Sequence, residues 1–129
     1  MKNQKFNPVV WFEIYVDDMD RAQKFYETVL NIQLHEIGDP TDLSMSMRGF
    51  PGEMTNGGTS GALVHMKDIK ACGGSTIVYF GCEDCAIEES RIQSAGGKVH
   101  QPKMSIGTYG FISLVVDTES NMIGLHSLK

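Results

Sequence analysis

The chain has 129 residues, enough for one domain with a real core and too few for two ordinary ones. Hydrophobic content of 41% and charged content of 21% are globular values, and a formal net charge of −5 with no basic run argues against nucleic acid, whose readers carry basic patches. Met1 to Pro8 has no apolar core of signal-peptide length, no run of ~18 apolar residues could span a membrane, and Cys72, Cys82 and Cys85 therefore read as reduced thiols of a cytoplasmic protein.

Val9 to Val16 reads as the first strand. Phe12, Ile14 and Val16 point to one side and Trp11, Glu13 and Tyr15 to the other, so a carboxylate stands between two aromatics on the face away from the core. Asp17 and Asp18 can cap the helix that follows, whose apolar face is Met19, Ala22, Phe25, Tyr26, Val29 and Leu30; Asn31 tolerates the left-handed C-cap. Ile32 to Ile37 alternates as a strand, Gly38-Asp39-Pro40 turns the chain, and Leu43, Met45 and Met47 alternate with Ser44, Ser46 and Arg48 in a third strand. Phe50 to Gly58 reads as a connection, with a lid as the alternative. Gly61 to Met66 is the fourth strand, and Met66 to Gly74 is the linker.

The pattern then resumes. Ser75 to Cys82 is a strand, Glu83-Asp84 an acidic cap, Cys85 to Ala95 a helix with a weaker apolar face, and Gly96-Gly97 its stop. Lys98 to Met104 is a strand that Pro102 marks as an edge, Gly107 to Gly110 a turn, Phe111 to Asp117 a strand, Thr118 to Asn121 a hairpin turn, and Met122 to Leu128 the closing strand. Strand-helix-strand-strand-strand is thus stated twice, in modules of about 9–66 and 75–128. Superposing them sets Phe12 to Asp18 on Val78 to Asp84, and Ala62-Leu63-Val64-His65 on Ile123-Gly124-Leu125-His126. The expected fold class is α+β: two βαβββ modules in one chain, forming a curved mixed sheet around a cavity fit for a small molecule.

At Val16 to Ala22 with Phe25-Tyr26, at Ala95 to Val99, and at Gly110-Phe111 leading to Asp117 to Asn121, the chain resembles the vicinal oxygen chelate superfamily of glyoxalase I, extradiol dioxygenases and bleomycin-resistance proteins. The resemblance runs from about Val9 to Leu128 and implies a single glyoxalase-like domain. It is nearest to short glyoxalase-like members and implies homodimers, for which an exposed sheet edge offers a place. The family's metal ligands, one from the first and last strand of each module, fall on Trp11, Leu63, Ile77 and Gly124, none of which can ligate through its side chain. Two residues further along each strand lie Glu13, His65, Tyr79 and His126. Glu13, His65 and His126 would suit a divalent metal (Zn, Fe, Ni or Mn). Without metal, Glu13 or a histidine could be a base, with Tyr79 and His126 stabilising an enolate.

Each signal has a plainer reading. Glu13 could be satisfied by Arg48 or by backbone donors. His65 and His126 could be surface histidines, as His35 and His100 are taken to be. Tyr79 could be packing, and Tyr109 either closes over a ligand or is a turn aromatic. Cys82-Glu83-Asp84-Cys85 has CxxC spacing, but flanking acids oppose a low thiol pKa, and the structural reading is preferred. Most of the eight methionines are core filler. Trp11, Tyr15, Met47 and Tyr109 are the candidate ligand-binding residues. Two functional expectations stand: an enzyme of the lactoylglutathione lyase kind, lyase or isomerase, abstracting a proton next to a carbonyl with Glu13, Tyr79 and His126; or a protein of the bleomycin-resistance kind that only binds a small molecule.

Overall fold

The computed structural model describes residues 9, 11–38, 44–53, 57–72, 74 and 76–129. The expectations for Met1 to Pro8, Val10, Asp39-Pro40, Leu43, the middle of the loop after Phe50, Gly73 and Ser75 lie outside the described residues. The first module is β1 (Phe12–Tyr15), α1 (Met19–Leu30), β2 (His35–Ile37), β3 (Met45–Gly49) and β4 (Gly61–Met66). The second is β5 (Tyr79–Gly81), α2 (Cys85–Arg91), β6 (Lys98–Ser105), β7 (Phe111–Val116) and β8 (Met122–Ser127). Each builds a four-stranded mixed sheet, ordered β1-β4-β3-β2 and β5-β8-β7-β6, with the first strand parallel to the last and the other pairs antiparallel. The architecture is α+β with two βαβββ modules. The expected curved mixed sheet is built as two four-stranded sheets, one from each module.

Alternation and capping account for the first unit. Ile14 and Val16 are buried, while Trp11 on the other face is 44% exposed. Asp18 caps α1 by accepting from the Arg21 N–H at 3.1 Å, and Asn31 closes it in the left-handed conformation at φ 54°. Met19, Ala22, Phe25, Tyr26 and Val29 are buried beneath it, as the spacing of three and four requires. The first-module residues Ile14, Val16 and Leu63 and the second-module residues Ile92, Val115, Ile123 and Leu125 belong to one hydrophobic cluster, so the helix-facing sides share a core. Phe12, Phe50, Phe80 and Tyr26 meet there ring to ring at 5.4–6.1 Å between centroids.

Several elements are shorter than expected. β2 starts at His35 instead of Ile32, because the Leu34 N–H is spent on the Glu27 carboxylate (2.9 Å) and the Ile32 N–H on the Glu27 carbonyl (3.3 Å). β5 is reduced to Tyr79–Gly81, prolonged by single bonds from Gly124 N–H to Val78 C=O and from Cys82 N–H to His126 C=O. α2 ends at Arg91, not Ala95; residues 92–96 are looser turns, and the Gly97 N–H returns to the Ile92 carbonyl at 2.9 Å. β6 is an edge strand with two register irregularities, in keeping with Pro102. Among the described residues, no helix is long and apolar enough to cross a membrane.

Candidate functional site at the seam between the modules

On the face of β1 away from the core, Glu13 is held between its neighbours. The Trp11 indole N–H donates to Oε2 at 3.3 Å and the Tyr15 hydroxyl to Oε1 at 2.9 Å. The Tyr15 pKa is raised, first by that hydrogen bond and then by burial, so at neutral pH its hydroxyl keeps the proton it donates. Glu13 and Tyr15 line a cavity of about 600 Å³, whose other walls come from the second module and from the linker. Ile77, Val116 and Met122 make its apolar side.

The linker wall is fastened. The Ala71 N–H donates to the Asp17 carboxylate at 3.1 Å and the Cys72 N–H to the Asn121 side-chain oxygen at 2.8 Å. The Asn121 amide in turn donates to the Tyr15 carbonyl at 3.0 Å, so one side chain ties linker, β1 and the β7–β8 turn together. Beside it, Glu119 accepts from the Asp17 and Asp18 N–H groups (3.0 and 2.8 Å), from the Arg21 guanidinium (2.7 and 2.9 Å) and from the Thr118 hydroxyl. Although burial alone would raise its pKa, these donors, the Arg21 guanidinium foremost, hold Glu119 at about 2. Asp117 is shifted the other way: burial raises its pKa, and it accepts from the Tyr26 hydroxyl at 2.6 Å. Sequence reasoning had placed Asp117, Glu119 and Asn121 in a strand end and turn, and Ile69 to Cys72 in a linker. Their role could have been suspected only from the density of carboxylates and amides in Asp117 to Asn121.

The other candidates are dispersed. His65 is corrected. Tyr15 pairs with Val64, so β4 directs His65 to the opposite face from Glu13, where its Nδ1 lies 3.0 Å from the Val16 carbonyl. Leu63 is fully buried in the core. The registers set Glu13 beside Ala62 and Tyr79 beside Gly124, so Ala62 corresponds to Gly124 and Val64 to His126; the alignment of His65 with His126 was one residue out. His126 shares the outward face of its own sheet, but its Nε2 lies 2.7 Å from the Tyr109 carbonyl and it does not line the cavity. Tyr79, 47% exposed, lays its ring across Gly124 and borders a different cavity.

Met47 shares a row with Tyr15 and Val64 outside the cavity lining, and Tyr109 projects from a short 3-10 turn at 76% exposure. Arg48 pairs with Gln23 and Asp20, not with Glu13. His35 and His100 are exposed, as expected.

A divalent metal does not fit this arrangement: Glu13 and His65 face opposite ways, and among the described residues no group of three or more His, Cys, Asp or Glu side chains could hold an ion. The CxxC pair is not poised for redox work either. The Cys82 thiol is pushed up to about 12, first by burial and then by the Glu88 carboxylate, and Cys85 is buried.

Paired βαβββ units with parallel first-to-last strands over a shared core make a glyoxalase-like fold. Residues 9–44, just over a quarter of the chain, match the family model described as bleomycin resistance protein-like N-terminal. Comparison with curated proteins gives no match. Among solved structures, the chain is similar to glyoxalase I from Zea mays (22% identity, TM-score 0.72, covering 92% of this chain and 43% of that one). It is also similar to TnmS3, an antibiotic binding protein from Streptomyces sp. CB03234 (22%, TM-score 0.69, 97% and 98%). A third is a glyoxylase/bleomycin resistance protein/dioxygenase domain from Frankia sp. EAN1pec (17%, TM-score 0.68, 95% and 98%). The chain spans less than half the length of the maize glyoxalase I chains it matches. At these identities the likeness carries the fold.

Proposed function

We propose that this protein binds a small cationic organic molecule with a flat aromatic body in the seam cavity and holds it without transforming it. The observation that supports this reading is the Glu13 carboxylate on the wall of a mostly apolar cavity, held by the Tyr15 phenol on the same wall and by the Trp11 indole just outside the lining; Lys70 of the linker is the cavity's one basic lining residue among those described. A carboxylate fixed by two aromatic donors offers a cation its charge, and apolar walls accept the rest of the ligand. The cavity volume of about 600 Å³ lies within the range of ligand sites. The net charge of −5 also favours approach of a cation. TnmS3, of nearly the same length, is a binding protein, which supports this choice over catalysis. The reading includes a reducing cytoplasmic setting for the three free thiols and a homodimer, to be checked by sedimentation.

A second reading keeps proton abstraction next to a carbonyl. It rests on the 2.9 Å contact between the Tyr15 hydroxyl and Glu13, with Glu13 as base and Tyr15 as donor in place of Tyr79 and His126.

Trp11 is the sole tryptophan, so its fluorescence reports on the site. Titration with N-methylquinolinium should quench it saturably, 2-naphthoate of similar size should not, and Glu13→Gln should weaken the cation roughly tenfold, about 1.4 kcal/mol. Because Glu13 is exposed, the unfolding free energy of Glu13→Gln in urea should stay within about 0.5 kcal/mol of wild type. Equal affinity for cation and anion would remove Glu13 from recognition. Deuterium incorporation next to the carbonyl of an added α-hydroxyketone, lost in Glu13→Gln, would favour the second reading.

A further inference from the structure

A second cavity lies on the helix side of the seam. Its volume is about 470 Å³, and Phe12, Phe50, Phe80, Tyr79, Ile32 and Glu88 are among its walls. Phe12 and Phe80 stand on the core face of β1 and β5, whereas Glu13 and Ile77 stand on the opposite face, so the two strands separate this space from the seam cavity; Val78 borders both. The rings of Phe12, Phe50 and Phe80 lie 5.4–6.1 Å apart and form one continuous aromatic surface.

Against it stands a carboxylate with one oxygen unpaired. The Cys82 thiol stands beside Glu88, but Glu88 Oε1 is buried and has no hydrogen-bond partner among the described residues, and no ion pair reaches Glu88 among them. Two basic side chains of this module are engaged elsewhere: Lys103 with Asp84 at 2.8 Å, and Arg91 with the Val29 carbonyl at 3.0 Å. A buried acceptor without a donor costs about 1–3 kcal/mol, more when charged, so the arrangement calls for an occupant. A water would need two to four polar partners. Of the hydroxyls on this wall, Ser60 donates to the Phe50 carbonyl at 3.1 Å and Thr59 to the Ser60 carbonyl at 3.5 Å, which leaves that of Tyr79, and the phenylalanine rings offer no partner.

The geometry points to a second ligand site here, for a primary ammonium on a compact aromatic or alkyl body. The ammonium would donate to Glu88 Oε1 while its body lies on the Phe12, Phe50 and Phe80 rings. Charge complementarity to a lone carboxylate selects the cation over a neutral donor, and the rings add a cation–π contribution. The site stands apart from the seam cavity and does not depend on the function proposed for it.

The test uses benzylammonium as probe, with benzyl alcohol and toluene as neutral isosteres, followed by aromatic and amide NMR shifts of the full chain. Saturable shifts at Phe12, Phe50 and Phe80 are expected. Affinity should fall at least tenfold in Glu88→Gln, in Ile32→Phe, which fills the space, and for both neutral probes. Absence of saturable shifts at these rings, shifts confined to Tyr15, Cys72 and Asn121, or equal affinity in wild type and Glu88→Gln would overturn the proposal and leave a water on the carboxylate. Should Glu88→Gln fail to fold, Ile32→Phe and the neutral probes decide: equal affinity for benzylammonium and benzyl alcohol overturns it.

Discussion

The two modules repeat a backbone but exchange their side chains. Where the first pairs Glu13 with Ala62, the second pairs Tyr79 with Gly124; where the first pairs Tyr15 with Val64, the second pairs Gly81 with His126. In the rows with Ala62, Gly124 and Gly81, a large side chain faces a small one, so the outward faces can carry bulk without collision. The helices are anchored differently as well. The start of α1 is grasped from the other module by Glu119, whereas the start of α2 is met from its own sheet by the Ser127 hydroxyl, 3.0 Å from the Cys85 N–H. A repeat therefore fixes the path of the chain while leaving each copy free to hold different chemistry: the seam cavity receives its carboxylate from the first copy and much of its apolar wall from the second.

The anchoring contrast gives the largest expected effect. Glu119→Ala would strand two backbone donors and the Arg21 guanidinium and should cost about 3 kcal/mol. Ser127→Ala, removing two neutral hydrogen bonds, one from the Cys85 N–H and one to the Lys129 carbonyl, should cost about 1–2 kcal/mol. Urea denaturation of both variants measures the difference, and equal losses would erase it. The pH dependence follows from the same group. Its folded pKa is depressed from 4.5 to about 2, so its stabilisation is complete above about pH 4.5 and is lost as pH falls toward 2. Asp117 opposes it, since a raised folded pKa makes ionisation costly and acid relieves that cost. Wild type should thus show an acid limb between pH 4.5 and 2 that is smaller in Glu119→Ala, where the lowered Asp84 carboxyl remains.

These partners also mark the limit of what can be read from sequence. β1 and α1 were legible because one face of each is buried and the other is not, so periods of 2 and 3.6 survive in the residue pattern. β4 hides its facing: Ala62, Leu63 and Val64 are at most 1% exposed, both sides of the strand are covered, and no alternation remains to show which way His65 turns. One residue of slip in that run moved a histidine across the sheet, and with it the proposed metal site. The Glu119 and Asn121 contacts span about a hundred residues of chain, and no local pattern records them.

A glycine in each module sharpens the comparison at smaller scale. Gly61 lies beneath Phe12, and a Cβ there would collide with the Phe12 carbonyl as well as its ring. Gly124 lies beneath Tyr79, and the atoms a Cβ would come nearest all belong to that ring, which is half exposed and can swing outward. Gly61→Ala should therefore cost about 1–3 kcal/mol and disturb the aromatic cluster, whereas Gly124→Ala should cost under about 1 kcal/mol. Thermal unfolding of the pair checks the order. A larger loss for Gly124→Ala would mean that the Tyr79 ring is more firmly held than its exposure suggests.

The two histidines make the finest distinction, because it separates stability from binding. His65 sits half-buried against the Val16 carbonyl, so His65→Ala should remove about 1 kcal/mol of stability. It faces away from Glu13, however, and should leave N-methylquinolinium quenching of Trp11 unchanged within twofold. His126 holds an exposed contact to the Tyr109 carbonyl, and His126→Ala should cost under about 0.5 kcal/mol while also sparing that titration. Had the two imidazoles been equivalent by repeat and turned toward Glu13, both variants would weaken the cation or abolish a shared metal. A loss of quenching in His65→Ala at full stability would place His65 on the face of Glu13 and reverse the register on which the seam site is built.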